Sequence, residues 1–200
     1  LLFSATMPED INRLVKEILH HPVTVKIGQT LPAKTVSHAL YPVEENQKMA
    51  LLEEILRRTD TDSVLVFTRT KIKAERVAQN LKKSRFPVTS LQGNMSQPER
   101  QTAIDGFRSG RYKIMVATDI AARGLDILSI SHVINYDMPE DTDAYIHRIG
   151  RTGRVEQAGQ AFTFVTGKDG TAIRDLEKLS NTKLERNTIP DFDYAKAPPR

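Results

Sequence analysis

The chain has 200 residues, 39% of them apolar and 27% charged, with a formal net charge of +4 and no cysteine. That length can bury an ordinary core, while the lack of cysteine excludes disulfides and thiolate metal sites. No apolar run approaches the roughly 20 residues of a membrane span, and no basic stretch precedes the first apolar residues as in a signal peptide, so a cytoplasmic globular protein is expected, basic enough to meet a polyanion.

Read in chain order, Leu1 to Phe3 form an apolar triplet expected to be a strand, and Ile11, Leu14, Val15, Ile18 and Leu19 share one face of a helix. A short strand is expected around Val23 to Ile27, and Gly28 to Lys34, with Pro32, reads as a linker. Met49, Leu52, Ile55 and Leu56 mark the next helix. From there short β-branched runs, Ser63 to Phe67, Val88 to Leu91, Lys113 to Ala117, His132 to Tyr136 and Gln160 to Val165, predict strands. Amphipathic helices lie between them. One carries Ala74, Val77, Ala78 and Leu81 at i, i+3, i+4, i+7; another carries Ala103, Ile104 and Phe107 behind a capping box of Ser96 and Glu99. Such alternation implies parallel strands joined by crossover helices, hence an α/β doubly wound, mainly parallel sheet covered on both faces over 35–188. The stretch 189–200, with Pro190, Pro198 and Pro199 and almost no apolar periodicity, is expected to be a frayed tail.

In an open parallel sheet ligands bind at the carboxyl ends of the strands. The polar residues after the predicted strands are Thr68 and Arg69, Gln92 to Asn94, Thr118 and Asp119, and Asp137, so these line one edge. A helix starting near Asp141 leads into Tyr145-Ile146-His147-Arg148-Ile149-Gly150-Arg151-Thr152-Gly153-Arg154, where arginine recurs at every third position. Guanidinium forks match phosphate oxygens, and three close together repel unless an anion sits among them. Plainer readings stand beside this one. Arg148 can be a structural ion-pair partner, Asp119 a turn cap and Gly150 backbone punctuation; Lys71, Lys73, Arg76, Lys82, Lys83 and Arg85 read as a solvated helix face. Phe67, Phe107, Phe162 and Phe164 read as core, so no base stacking is expected.

The arginine string resembles the last motif of superfamily 2 helicases in its DEAD-box form, and further motifs follow in order. Ser4-Ala5-Thr6 is similar to the coupling motif at the end of the first RecA-like domain, Val64 to Thr70 to the fourth motif, and Gln97 to Arg100 to the Q-x-x-R element. Ala117 to Asp126 resembles the fifth motif, and Val133 to Asp137 the short element after it. The resemblance implies a RecA-like fold, with residues 1–27 the end of a first RecA-like domain, and it assigns roles. Arg151 and Arg154 would be arginine fingers on the γ-phosphate of ATP, Asp126 and Gly124 would meet the ribose side of the nucleotide, and His147 would reach the acidic motif across the cleft. Thr118, Gly93, Arg100, Thr68 and Arg69 would grip the RNA backbone without reading bases, and Ser4 and Thr6 would couple nucleotide state to unwinding.

The chain has no G-x-x-x-x-G-K-[ST] loop and no Asp-Glu-Ala-Asp string, so ATP with Mg²⁺ is expected to be bound mainly by an upstream N-terminal RecA-like domain, leaving this chain inactive alone. Gln92-Gly93-Asn94 stands where the family usually has His-Gly-Asp, and the Phe67-Thr68-Arg69-Thr70 wording with Ile189-Pro190 looks most like the bacterial RhlE-like branch. A DNA motor of the same superfamily and a non-catalytic RNA-binding module are the alternatives. Residues 1–27, parted from their own sheet, are expected to dock elsewhere, for instance in a truncation-induced dimer.

Overall fold

Successive side chains of a strand point to opposite faces, so a strand buried on both sides must be apolar throughout. The runs V-L-V-F and I-M-V-A obey that rule, and H-V-I-N departs from it only at its ends, where His132 Nδ1 lies 2.9 Å from Ser131 Oγ and Asn135 donates to Thr163 Oγ1 at 3.0 Å; in the computed structural model each is a strand of one sheet in which every residue is buried. The structure describes residues 1–2, 9–25, 35–59, 62–123, 130–153 and 158–195. It divides into two compact units, Leu1–Thr30 and Leu31–Arg200.

The second unit runs β1 (Val36–Pro42), α2 (Lys48–Arg58), β2 (Val64–Phe67), α3 (Lys71–Lys83), β3 (Val88–Leu91), α4 (Gln97–Arg108) and β4 (Ile114–Ala117). It continues with α5 (Asp119–Ala122), β5 (His132–Asn135), α6 (Thr142–Ile149), β6 (Gly159–Val165), α7 (Gly170–Ser180) and β7 (Glu185–Arg186); the first unit holds α1 (Glu9–Ile18). The seven strands lie in the order β3-β4-β2-β5-β6-β1-β7, and every pairing is parallel, as expected for a RecA-like doubly wound sheet. Alternation divides the strand side chains between two cores. Leu65, Phe67, Met115, Ala117, Val133 and Ala161 pack with Phe107 of α4, Tyr145 and Ile149 of α6 and Leu176 of α7. Val64, Val66, Ile114, Val116, Ile134 and Phe164 pack with Leu51, Leu52 and Ile55 of α2 and with Ala74, Val77 and Leu81 of α3. Each fully buried Leu, Ile or Val contributes about 1.5–3 kcal/mol, which is what fixes both helical layers to the sheet.

Helix starts follow local chemistry. Thr70 accepts from Lys73 N at 3.2 Å to open α3, Glu99 accepts from Ser96 N and Oγ at 2.7 Å to open α4, and Asp141 accepts from Ala144 N at 2.6 Å to open α6.

The structure departs from the sequence expectations in several places. β1 was not expected: Val-Ser-His-Ala-Leu-Tyr-Pro lacks a β-branched run and ends in proline, and the long parallel register with Gly159–Val165 is what makes it a strand. Nor were the short α5 and β7, or α7, expected. The expected strand at Val23 is irregular over residues 23–25, and Leu1 and Leu2 form no strand; residues 3–8 and 26–34, hence the linker, lie outside the described residues. The frayed tail is corrected for 189–195. Ile189, Phe192 and Tyr194 pack on the second core, Arg58 Nη1 donates to the Pro190 carbonyl at 2.7 Å, and Ile189 N donates to Tyr194 Oη at 3.0 Å. On α1, Leu14 and Ile18 are exposed. Among the described residues no helix is long and apolar enough to cross a membrane.

Candidate functional site

From β2 the chain crosses toward β3 and β4, whereas from β5 it moves toward β6, so β2 and β5 are neighbours whose connections leave in opposite directions. At such a switch point the two loops part and open a crevice at the carboxyl end of the sheet. Thr68 and Arg69 follow β2 there, and Asp137 follows β5.

Arg148 organises one side of that edge. Only 3% of its side chain is exposed, and every nitrogen of the guanidinium has a partner. Nε and Nη2 donate to the two oxygens of Asp119 at 2.6 and 2.7 Å, while Nη1 donates to Asn135 Oδ1 at 3.2 Å and to the Asp137 carbonyl at 2.9 Å. Its carbon lies 5.1 Å from the centre of the Phe67 ring. A fixed fork meets a carboxylate on two parallel bonds, which lysine cannot do. One side chain therefore binds α6 to the start of α5 and to the ends of β2 and β5. A second tie joins α6 to β1, where His38 Nδ1 and Tyr145 Oη stand 2.9 Å apart; burial pushes the Tyr145 phenol up to about 12 and the His38 imidazole below its usual value.

Asp137 organises the other side. Burial alone would raise its pKa, but bonds from Arg69 N at 3.0 Å and Lys73 Nζ at 2.8 Å, with the charge of Lys48 at 3.3 Å, outweigh that and hold it below the ordinary carboxylate range. Glu45 bridges both lysines, at 2.8 Å from Lys48 and 2.9 Å from Lys73, and is likewise held low against its own desolvation. Lys48 is buried to 3% exposure, so these carboxylates are the reason an ammonium can sit there.

The expected site residues fall into three groups. Gly93 and Thr118 follow β3 and β4 at the carboxyl edge, with Arg100 tied to α5 beside them; the Arg151 turn does not join them, because Thr152 bridges Ile130 and Gly153 lies against Val36 at the amino ends of β5 and β1. Gly93 and His147 are exposed, and a methyl group added at Gly93 would meet nothing within 4 Å, so a ligand backbone has room to approach. Thr118 begins α5 half-buried, and Arg100 Nη2 donates to the Ala121 carbonyl at 3.3 Å, tying α4 to α5. Arg151 is half-buried just past α6, in a turn fixed by Thr152 Oγ1 on the Ser131 carbonyl at 2.9 Å. The turn needs Gly153: its φ is +70°, and a Cβ would come within 2.5 Å of Val36 Cγ2.

Thr68 is corrected: it is fully buried and donates to the Thr70 carbonyl at 3.2 Å, so it shapes the turn. Arg69 is exposed at the mouth of the crevice, with Nη2 donating to the Met138 carbonyl at 3.2 Å. Asp119 is Arg148's partner rather than only a turn cap, and Lys73 belongs to the Asp137 cluster rather than to a solvated face. The third group, Ser4, Thr6, Gly124, Asp126 and Arg154, lies outside the described residues. Sequence reasoning missed Lys48 and Asn135 because their partners are far away in the chain; the one available signal was a lysine at the first position of an apolar helix face.

The model of the helicase conserved C-terminal domain matches residues 47–156. Among curated relatives, DEAD-box ATP-dependent RNA helicase 21 of Oryza sativa subsp. japonica is 40% identical over 207 residues, covering 100% of this chain and 28% of the relative. DEAD-box ATP-dependent RNA helicase CshA of Bacillus subtilis is 35% identical, covering 98% and 40%, and RhpA of Helicobacter pylori 40% identical, covering 96% and 39%. The chain thus spans well under half the length of these relatives. Among solved structures, S. cerevisiae Dbp5 bound to RNA and ADP BeF3 superposes with a TM-score of 0.82 at 32% identity, covering 92% of this chain and 50% of that one. E. coli DEAD-box protein SrmB bound to regulator of ribonuclease activity A gives 0.73 at 32%, covering 82% and 98%.

Proposed function

This chain belongs to the family of helicase conserved C-terminal domains in its DEAD-box form, and from that premise we propose that it is the second RecA-like domain of an ATP-dependent RNA helicase. The observation that carries the reading is Arg148, whose two-sided grip on Asp119 and the strand ends joins α5, which begins at the RNA side, to α6, which ends at the nucleotide side. A shift imposed on one helix is then felt by the other.

In this reading Thr118, Gly93 and Arg100 hold sugar and phosphate. A hydroxyl, an unobstructed backbone and a guanidinium make contacts that carry no base information. Arg151 and Arg154 stabilise the charge that develops on the γ-phosphoryl group, Asp126 and Gly124 lie at the ribose, His147 reaches the facing domain, and Ser4 and Thr6 couple the two domains. ATP with Mg²⁺ supplies the phosphoryl group to be transferred when bound. This chain fits it with a permanent cation, Arg151, beside the exposed His147 on a helix end that Arg148 and Tyr145 hold still. The phosphate loop and the metal ligands belong to an N-terminal RecA-like domain. Placement in the RhlE-like branch rests on Phe67 to Thr70 and Ile189-Pro190. The exposed Leu14 and Ile18 of α1 support self-association through residues 1–27, tested by solution mass with and without them.

Hydrolysis and unwinding by the full-length protein test the proposal. RNA-stimulated ATPase and separation of RNA duplexes are expected, with no turnover by this chain alone. Equal or better unwinding of DNA duplexes would favour a DNA motor, and RNA binding without any ATPase would leave a binding module.

A further inference from the structure

The first turns of α3 and the loop after β3 enclose a groove of about 330 Å³. Lys71, Ile72, Arg76 and Gln79 line it from α3, and Gln92 and Asn94 from the loop. Positions 72, 76 and 79 are spaced by four and three, so they share one helix face. Lys71 Nζ donates to Asn94 Oδ1 at 2.8 Å, which places an ammonium at the point where the groove meets the loop beside Gly93. Glu75 is the lining carboxylate among the described residues, and both its oxygens are engaged, by Ser90 Oγ at 2.8 Å and Gln79 Nε2 at 3.1 Å, which draws its charge toward β3. Ile72 is 70% exposed, a large apolar surface set between two cations.

Cations for phosphates, amides for polar edges and an uncovered apolar side chain for a ribose or base face are together what a single-stranded polynucleotide track needs. The groove is continuous with the loop already proposed to hold the RNA backbone, since Gln92 and Asn94 belong to both. We propose that RNA continues past Gly93 into this groove, with Lys71 and Arg76 on successive phosphates and Ile72 against the intervening nucleoside. This splits the basic residues of α3 and its end: Lys73 is paired with Asp137 and Glu45, Lys71 and Arg76 serve RNA, and Lys82, Lys83 and Arg85 just past the helix remain solvated. The inference rests on the RNA-binding reading above.

The test is a titration of a fluorescent oligouridylate of about 12 nucleotides with the whole chain, over about 50 to 200 mM salt. Each phosphate contact on a single strand contributes about 0.7 to the slope of log affinity against log salt, so Lys71→Ala/Arg76→Ala should lower the slope by about 1.4 and weaken binding roughly tenfold. Lys71→Arg/Arg76→Lys, which keeps both charges, should retain the slope. Lys82→Ala/Lys83→Ala should change little, as residues outside the track. If Arg100→Ala weakens binding but the Lys71/Arg76 slope is unchanged, the groove is not part of the track and a protein partner becomes the better occupant. If the wild-type chain shows no salt-dependent RNA binding, the RNA reading fails and this inference with it.

Discussion

Arg148 and Arg151 stand three residues apart at the end of α6 and could not differ more in surroundings. Arg148 is buried, with all its donors satisfied by Asp119, Asn135 and the Asp137 backbone; Arg151 sits half-buried in the turn beyond the helix, next to exposed His147. The period of three explains this. A helix advances 100° per residue, so Arg148 faces the sheet with Tyr145 and Ile149, and the chain leaves the helix before Arg151 can do the same. The same residue type therefore ties helix to sheet at one position, and in the proposed function meets the nucleotide at the next.

The sharpest break between the two is in rate against stability. In the full-length protein Arg151→Ala should slow RNA-stimulated ATP hydrolysis by about 10³, or about 4 kcal/mol of barrier, because arginine fingers typically supply that much. Its unfolding free energy should move by under about 1 kcal/mol. Arg148→Ala should invert the pattern. Removing one partner of a buried pair costs about 3–5 kcal/mol, and since Asp119 is 47% exposed and can be rehydrated, the low end of about 3 kcal/mol is expected in denaturant unfolding. Arg148→Lys should recover little of it, because an ammonium cannot span Asp119 and Asn135 together. Equal stability losses at both positions would erase the distinction.

The Asp137 cluster extends the comparison to pH. Asp137 and Glu45 are held below their unfolded values, so the stability they add is present above about pH 4 and is lost as pH falls through their folded values. Lys73 runs the other way: desolvation opposes its charge, but bonds to Asp137 and Glu45 raise its pKa, so its contribution is full below about pH 10.4 and is lost as pH rises through the raised value. Burial lowers His38 and His132, so each adds a loss that starts as pH drops below about 6.5. Asp137→Asn should cost about 2 kcal/mol at neutral pH, by leaving the buried Lys48 with Glu45 alone, and should flatten the fall below pH 4 while leaving the histidine part. An unchanged acid limb in urea midpoints taken at several pH values would remove Asp137 from this role.

The sequence made the sheet legible where the physics was local. Two-sided burial forces continuous apolar runs, which marked β2 and β4, while β-branched and aromatic residues marked β3, β5 and β6, all within a residue or so of their ends. β1 escaped because Ser37, His38 and Pro42 break the run, and its strand character comes from partners more than a hundred residues away. The 189–195 segment escaped for the same reason: Phe192 and Tyr194 meet edge to face at 4.7 Å and cover the second core, yet no periodicity announces a single irregular turn. At the site, topology alone placed Gly93, Thr118 and Asp137 along one edge of the sheet, after β3, β4 and β5. What it could not foretell was which cations are consumed internally, since Arg148 with Asp119 and Lys48 with Asp137 are pairings across 29 and 89 residues.

The smallest expected effect gives the finest test of the division between holding and offering. Thr118 begins α5 but its hydroxyl makes no capping bond to that helix, so Thr118→Ala should alter stability by no more than about 0.5 kcal/mol. If that hydroxyl is offered to an RNA phosphate instead, the same change should weaken RNA binding by about 1 kcal/mol, or roughly fivefold. Because a neutral donor displaces no counterion, the slope of affinity against salt should be unchanged, in contrast to an arginine at the same edge. Thr118→Ser should bind like the wild type. A Thr118→Ala chain with full RNA affinity and reduced stability would move Thr118 to the holding side, with Arg148.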